Sequence, residues 1–352
     1  MTSISETTVV IANNPTSQFR ATFRKTVIAC SVLAATLILT VVTTSLLGSE
    51  RLPTSASLCA LLSLGTKQCA LTSDQFDILF QIRLPRILLA AAVGASLATA
   101  GASYQSLLRN PLAEPYLLGI SNGAAVGTML ALVFFGGFEW SRPLMAFAGA
   151  LIATFAVYRL ARGKAGATPE RLILAGIIVT TFLSSVIVFV TTLMDATRIR
   201  SFTFWLLGDL SGASKALLPI AVFIALAGAV ILTLNARSLN LLMLGERDAF
   251  DLGVEVGRVR IIVFIVASLL VGSSVAASGS VGYVGLVVPH LARLSLGSDN
   301  RISIPAAALG GALFVIIADT VARTVIAPRE LPVGAITALI GAPLFIYLLK
   351  KG

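Results

Sequence analysis

The chain has 352 residues, of which 57% are apolar and 12% are charged. A soluble domain carries roughly 25% charged residues, so this composition excludes a single water-soluble domain. It indicates a polytopic membrane protein, as does the mean hydropathy of +0.94. The net charge of +10 does not indicate a nucleic-acid partner, because membrane proteins collect lysine and arginine at their cytoplasmic rim.

Charge-free stretches predict the membrane spans, because about 20 apolar residues of helix cross the hydrocarbon core and a charge inside it is costly. Eight stretches lack charge, and the gap 261–292 is long enough for two crossings separated by the small residues 278–282. The predicted fold class is all-α, with a polar cytoplasmic leader (1–25) and one transmembrane domain (26–350). The ten predicted spans are 26–49, 87–108, 115–138, 143–160, 172–194, 216–236, 259–278, 281–297, 302–322 and 331–349.

Lysine and arginine predict the orientation. An even number of spans puts both termini on one side, and a cytoplasmic N-terminus places sixteen cations inside and ten outside. The first apolar run is about twice as long as a signal-peptide core, so it is predicted to be a signal-anchor helix rather than a cleaved signal. We therefore expect a multi-pass protein of the bacterial inner membrane with cytoplasmic termini.

The first outer loop contains the stretch 52–66, which is charge-free but short and rich in Ser and Thr. It is interpreted as a loop that can carry a surface helix. Cys59 and Cys69 both fall in this loop. An oxidising compartment would permit a bridge between them, and two free thiols are the alternative.

Small residues indicate where helices approach closely. Gly119, Gly123 and Gly127 are spaced by four on the third span, and Gly94, Ala98 and Ala102 repeat this spacing on the second. Between these spans, the segment 109–115 contains two prolines four residues apart and is predicted to be a turn. Ser121 and Asn122 then place polar groups near the start of the third span, where they either bond a neighbouring helix or face a water-filled passage.

The largest inner loop, residues 236–257, contains a predicted short amphipathic helix between Gly245 and Gly253. Such a surface helix suits docking of a cytosolic partner, and a solvated connector is the alternative.

The sequence contains no motif for catalysis or nucleotide hydrolysis. It has one histidine, His290, and lacks Cys-x-x-Cys, H-E-x-x-H and the phosphate loop G-x-x-x-x-G-K-[ST]. Energy must then come from an ion gradient or from another subunit. A gradient-driven carrier usually places an acid within its spans, and Asp319 is the only close candidate, so a partner ATPase is favoured.

Four groups of residues carry a resemblance to a known family. They are Arg83-Leu84-Pro85-Arg86; the run 109–115 with 118–124; the run 282–293; and 330–334 with Gly341-Ala342-Pro343. In this order they resemble the iron-siderophore, heme and cobalamin family of ABC-importer permeases, over roughly residues 80 to 350. The resemblance implies ten helices, a dimer around a central path, two cytosolic ATPases that bind ATP and Mg, and a substrate-binding protein. The dimer can be a homodimer or pair with a paralogue, and the chain itself is expected to bind no cofactor, metal or nucleic acid, only membrane lipid.

The resemblance also implies roles for individual residues. By this resemblance, Arg83, Arg86 and Arg323 are expected to dock the binding protein. Gly245, Glu246, Ala249, Leu252 and Gly253 are expected to couple the chain to the ATPase. Ser121, Asn122 and Gly123 are expected to line the translocation path. Thr168, Pro169 and Glu170 occupy the loop of the inner gate, although Pro and Glu depart from the small hydroxyl residues of a cobalamin permease. His290 is expected to be structural rather than a metal ligand.

Two rival functions are compatible with the sequence. One is an ion-gradient-driven secondary transporter, and the other is an exporter or structural membrane subunit without a binding-protein dock. Among importer substrates, a ferric siderophore ranks first, followed by heme and cobalamin.

Overall fold

The computed structural model describes residues 15–48, 50, 52–66, 69–135, 140–163, 166–212 and 216–351. Most of the predicted leader, residues 1–14, therefore lies outside the described residues. Within the described part, the chain is built from α-helices and a single two-stranded hairpin, so the all-α prediction is confirmed.

In chain order, the helices are α1 (Pro15–Leu46), α2 (Thr54–Leu62), α3 (Ser73–Asp77), α4 (Leu84–Leu107), α5 (Ile120–Phe134), α6 (Ser141–Ala161), α7 (Pro169–Thr191), α8 (Ala196–Leu206), α9 (Leu217–Leu234), α10 (Ala236–Leu244), α11 (Glu246–Asp251), α12 (Val256–Ser278), α13 (Val284–Leu296), α14 (Asn300–Thr324) and α15 (Val333–Lys351). A π-helical segment, Ile78–Arg83, joins α3 to α4, and a 3-10 turn, Pro115–Leu118, precedes α5. Strands β1 (Arg162–Gly163) and β2 (Gly166–Ala167) pair antiparallel between α6 and α7, with Arg162 opposite Ala167.

Seven helical stretches of the described chain are long and apolar enough to cross a membrane. They are α1 from Arg24 onward, the continuous stretch Ser73–Leu107, α6, α7, α9, α12 and α14. Three further apolar stretches are shorter, namely α5, α13 and residues Val333–Leu348 of α15. The ten predicted spans each overlap one of these ten helices. The third predicted span begins five residues before α5, because Gly119 adopts a left-handed φ of 74° that starts the helix late.

Helix α4 lies at the centre of the bundle, with twenty of its 24 residues buried. It packs most extensively against α14, where a Cβ on Gly94 would overlap the carbonyl oxygen of Gly311. A Cβ on Gly311 would in turn lie 2.5 Å from the Cβ of Ala98. The predicted small-residue face of α4 therefore makes a close helix–helix contact.

A second close contact joins α5 to α6. A Cβ on Gly123 would overlap the carbonyl oxygen of Gly149, and one on Gly127 would overlap that of Met145. The prediction that Gly119 continues this face is wrong, because Gly119 precedes the helix and packs near Val179 of α7.

The two predicted chain reversals are present. The chain leaves α4 after Leu107 and does not re-enter a regular α-helix until Ile120, so the segment 109–115 is a non-helical turn. It leaves α12 at Ser278 and enters α13 at Val284, so the long charge-free gap is two helices.

The segments between the apolar helices contain more structure than the sequence pattern predicts. Cys59 of α2 forms a disulfide with Cys69, so the alternative of two free thiols is wrong. Helix α3 is capped by Thr72 and Gln75, each of which bonds the backbone N–H of the other. Helix α8 lies in a stretch outside the predicted spans, and Asp195 caps its N-terminus.

Candidate functional site

A buried charge cluster lies where α4 and α14 meet. The Nη2 of Arg86 is 2.8 Å from Oδ1 of Asp319, and its Nη1 is 2.7 Å from Oε2 of Glu330. Arg323, one turn after Asp319, brings its Nε within 3.2 Å of Oδ2 of the same carboxylate. Asp319 thus lies between two guanidinium groups, which compensate its buried charge.

Arg83 lies beside this cluster and holds the end of α1. Its guanidinium donates hydrogen bonds to the carbonyl oxygens of Ser45 and Glu50. A Cβ on Gly48 would lie 2.5 Å from the same guanidinium, so glycine leaves room for it there. Arg83 therefore anchors the segment that follows α1.

The three arginines predicted to dock a binding protein are not exposed. Arg83, Arg86 and Arg323 keep 4%, 7% and 4% of their surface accessible. Backbone carbonyls and the carboxylates described above surround their charged groups. Docking through them stays a prediction. Glu330 was not predicted as their partner, although it belongs to one of the quoted motifs.

A second cluster joins the turn before α5 to the turn before α13. The hydroxyl of Tyr116 donates to the carbonyl oxygen of Val281, 2.8 Å away, and accepts from the Val281 N–H at 2.9 Å. Oε1 of Glu114 accepts from the N–H of Tyr283 at 2.9 Å. Tyr283 adopts a left-handed φ of 67°, which is uncommon for a residue with a side chain. These bonds satisfy backbone groups of the turn before α13, which the late start of that helix leaves free.

The predicted path residues lie at this junction. Ser121 is buried and its hydroxyl is 3.2 Å from that of Ser280, whereas Asn122 is half-buried. The side-chain amide of Asn122 donates to the Thr180 carbonyl at 3.1 Å and to the Ser184 hydroxyl at 2.7 Å. Of the two alternatives for these polar groups, the interhelical hydrogen bonds are present, and a role in the path stays a prediction.

Two further chain segments reach the same level of the bundle. The N–H of Asp209, after α8, donates to the Ser278 carbonyl at 2.8 Å, and the N–H of Val333 donates to the Gly208 carbonyl at 3.1 Å. The segment after α8 therefore pairs with the last residue of α12 and with the first residue of α15. The sequence pattern did not predict this convergence, because the paired residues are far apart in the chain.

The predicted amphipathic helix of the inner loop is present as α11, between Gly245 with φ 141° and Gly253 with φ 83°. Ala249 is fully buried, whereas Phe250 and Leu252 are 70% and 60% exposed. Phe250 was not among the predicted coupling residues, although it stands out as an aromatic residue in a charged loop.

Ion pairs fix the position of α11 against the domain. Its first residue, Glu246, pairs with Arg260 of α12 and lies 4.0 Å from Arg109. Ala249 is buried beneath the helix. Helix α11 is thus packed against the domain on one side, while the large apolar side chains of Phe250 and Leu252 are exposed on the other.

Helix α10 is tied to the start of α14. The side-chain amide of Asn240 donates to Oδ1 of Asp299 at 2.7 Å, and its oxygen accepts from the N–H of Asn300 at 2.9 Å. Burial raises the pKa of the Asp299 carboxyl, but hydrogen bonds from Arg301 and Asn240 lower it more, so the net pKa lies below its ordinary value. The inner loop therefore has a polar connection to the central helices.

The predicted gate residues begin α7. Thr168 precedes the helix with extended backbone, Pro169 is its first residue, and Glu170 is exposed in the first turn. Proline suits this position because it needs no N–H partner there. Their role in a gate stays a prediction.

No group of three or more potential metal ligands occurs among the described residues. His290 packs edge-on against Phe345, with ring centroids 6.1 Å apart.

Comparisons with known proteins agree with this architecture. The sequence profile of the FecCD transport family matches residues 27–351. The chain is 45% identical over 270 residues to the cobalamin import system permease protein BtuC of Halobacterium salinarum, covering 76% of this chain and 72% of the relative. It is 41% identical over 304 residues to the hemin transport system permease protein HmuU of Yersinia pestis, covering 84% and 91%.

A solved structure is also similar. A metal-chelate type ABC transporter in an inward-facing conformation superposes with a TM-score of 0.79 at 32% identity, covering 92% of this chain and 99% of that one. The fold and these matches define a membrane permease of the ABC-transporter class. The chain belongs to the FecCD transport family.

Proposed function

We propose that this chain is the permease subunit of an ATP-driven importer for a metal chelate. The observation that carries the proposal is the short helix α11. Buried Ala249 and the ion pair of Glu246 fix it against the domain, while Phe250 and Leu252 are exposed to solvent. Exposed apolar side chains of this size suit a protein partner better than water. Since the sequence has no phosphate loop, that partner supplies ATP hydrolysis.

The proposed assembly has two permease copies, two ATPases that bind ATP and Mg, and a substrate-binding protein on the far side of the membrane. Both termini and α11 lie on the cytoplasmic side of the inner membrane in this proposal, as the cation distribution favours. Ser121, Asn122 and Gly123 would line the path between the copies, and Thr168, Pro169 and Glu170 would border its inner mouth. Support for the path comes from the location of Ser121 and Asn122 at the junction of late-starting helices, where small polar groups can pass a bulky ligand without holding it.

Binding-protein docking is proposed at the end of the domain that carries Arg83, Arg86 and Arg323. Because these side chains are buried, their contribution would be to hold the surrounding loops in a shape that the binding protein recognises. Glu330, whose side chain is 42% exposed, connects the buried cluster to that surface.

The proposed substrate class is a metal chelate bound as a complete complex. The relatives described above are named for cobalamin and hemin, which favours these two over the ferric siderophore that ranked first on sequence alone. The gradient-driven alternative gains no support from Asp319, because two arginines neutralise it.

Reconstituted vesicles test the proposal. The permease, an ATPase from the same source and the binding protein are incorporated, and uptake of cobalamin, hemin and a ferric siderophore is measured with and without ATP. We expect uptake of one chelate that requires ATP and continues when an ionophore collapses the ion gradient. Uptake that continues without ATP and stops with the ionophore would instead establish a secondary carrier.

A further inference from the structure

A groove of about 900 Å³ lies between α1 and the pair α13–α14. Of the sixteen residues that line it, thirteen are apolar, among them the small residues Ala29, Ala306 and Gly310. The groove lies on the outer surface of the bundle, since Ile28 and Val32 on its α1 wall are 56% and 60% exposed. A surface groove with these walls faces the hydrocarbon of the membrane rather than water.

The length of the groove corresponds to one leaflet. Its α14 wall runs from Ala306 to Ile317, which is roughly 17 Å at about 1.5 Å per helical residue. The hydrocarbon core of a bilayer is about 30 Å thick, so the groove spans about half of it.

The mouth of the groove is cationic. Arg24 and Lys25 are its only charged lining residues among those described, and no carboxylate lies beside them in the lining. Nζ of Lys25 donates to the carbonyl oxygen of Leu296, the last residue of α13, at 2.6 Å. The side chain of Arg24 is exposed and makes no hydrogen bond or ion pair with another residue of the described chain.

This mouth lies at the same end of the domain as α10 and α11. Leu296 is three residues before Asp299, and Asp299 accepts the hydrogen bond from Asn240 of α10. The two cations therefore lie at the headgroup level of the leaflet on the α11 side.

We propose that the groove binds one anionic glycerophospholipid from this leaflet. Its acyl chains lie along α14, between α1 and α13, and its phosphate contacts Arg24 and Lys25. Apolar walls one leaflet long and a cationic mouth match the two parts of such a lipid, and basic pockets between transmembrane helices bind anionic headgroups. In the proposed orientation this leaflet is the cytoplasmic one. The lipid site itself does not depend on the proposed transport function.

The experiment measures lipid retained by the intact purified permease. The protein is delipidated in mild detergent, supplied with phosphatidylglycerol or phosphatidylcholine of identical acyl chains, and analysed by native mass spectrometry. Arg24→Gln with Lys25→Gln removes the cationic mouth, and Ala29→Phe fills the groove. The matched controls are Arg237→Gln with Arg258→Gln, which are exposed cations at the same end, and Ala35→Phe, which is exposed on α1 outside the groove.

We expect wild type and both controls to retain one phosphatidylglycerol in preference to phosphatidylcholine. In the double glutamine variant, the ratio of retained phosphatidylglycerol to phosphatidylcholine should fall about tenfold. Ala29→Phe should lose the bound lipid. Equal retention of both lipids by wild type, or an unchanged preference in the double glutamine variant, would overturn the proposal. It would also be overturned if the full chain retained no phosphatidylglycerol and a variant lacking residues 1–14 did, because the leader would then occupy the groove in the full chain. A change of oligomeric state in Ala29→Phe without lipid loss would assign the groove to a second copy instead.

Discussion

Where α4 and α14 meet, the buried charges neutralise one another within the chain. Asp319 is 1% exposed and lies between Arg86 and Arg323, while Arg86 also reaches Glu330. Removing one partner of such a cluster leaves a charge buried without compensation, which costs more than the pair contributed. The cluster thus ties α4, α14 and the loop before α15 together.

Replacing Arg86 with Gln should lower the free energy of unfolding by about 3 kcal/mol, because Asp319 and Glu330 lose their shared partner. Unfolding in detergent, followed by tryptophan fluorescence, measures the change. Arg142→Gln, an exposed cation, is the control and should stay within about 0.5 kcal/mol of wild type. Adding Asp319→Asn to Arg86→Gln should cost less than the sum of the two single changes, and strict additivity would argue against the coupling.

Asp299 gives a pH dependence at the residue scale. Its pKa is lowered in the folded protein by Arg301 and Asn240, so its contribution to stability is present above the ordinary pKa of about 3.9. That contribution is lost as the pH falls through the lowered value. We expect Asp299→Asn to destabilise the protein at pH 7 and to differ less from wild type below about pH 4. A stability difference that stays constant over this range in thermal melts would contradict the assignment.

At the scale of helices, close contacts depend on glycine. Gly94 of α4 lies against the backbone of α14, whereas Gly257 in the first turn of α12 has nothing within 4 Å of an added Cβ. Both are helical, so alanine improves the intrinsic helix propensity equally at the two positions. Only the packing differs.

Gly94→Ala should therefore destabilise the protein by several kcal/mol, because the added methyl overlaps the Gly311 carbonyl and the helices must move apart. Gly257→Ala should be neutral or stabilise by up to about 1 kcal/mol. Thermal melts of both variants, with expression level as a second readout, check this prediction. Equal stability of the two variants would mean that α4 and α14 separate without cost.

Helix α11 offers a test of ATPase docking that leaves the bundle intact. Ala249 is fully buried, so a proline there would disturb the domain as well as the surface. Phe250→Ala with Leu252→Ala removes mostly exposed atoms and should weaken ATPase binding by about tenfold or more, with thermal stability close to that of wild type.

The control for this test is Phe182→Ala, an exposed aromatic residue in the middle of α7. It should leave ATPase binding, measured by pull-down of the purified subunits, at the wild-type level. Wild-type binding in the α11 double variant would identify the loop as a connector.

The sequence predicted the long helices because charge is excluded from their apolar runs, and this holds for α6, α7 and α12. It missed α8, because Arg198 and Arg200 within that helix made the stretch resemble a loop, although Asp195 is a recognisable N-cap. The partners of the buried arginines could not be predicted, since Arg86 and Asp319 are 233 residues apart and composition does not give contacts. For the same reason, the burial of Arg83 could not be predicted.

For the whole molecule, the helices divide into two kinds. Long helices such as α12 and α14 cross the bundle, whereas α5 and α13 start at turns inside it. In the turn before α13, Tyr116 and Glu114 satisfy the free backbone groups. Transmembrane helices that end within protein are tolerated where other protein groups complete their hydrogen bonds. The proposed path therefore adjoins the part of the bundle with the most non-helical backbone.

The disulfide between Cys59 and Cys69 also has a consequence for the side of the membrane on which its loop lies. Cytosolic thiols keep cysteines reduced, so in the proposed orientation this bond is expected to form once the segment following α1 has reached an oxidising compartment. In protein taken directly from cells with a blocking reagent, Cys30 should be the single cysteine that gains mass after denaturation without reduction. Two additional modified cysteines would place the loop in the cytosol and invert the proposed orientation of every helix.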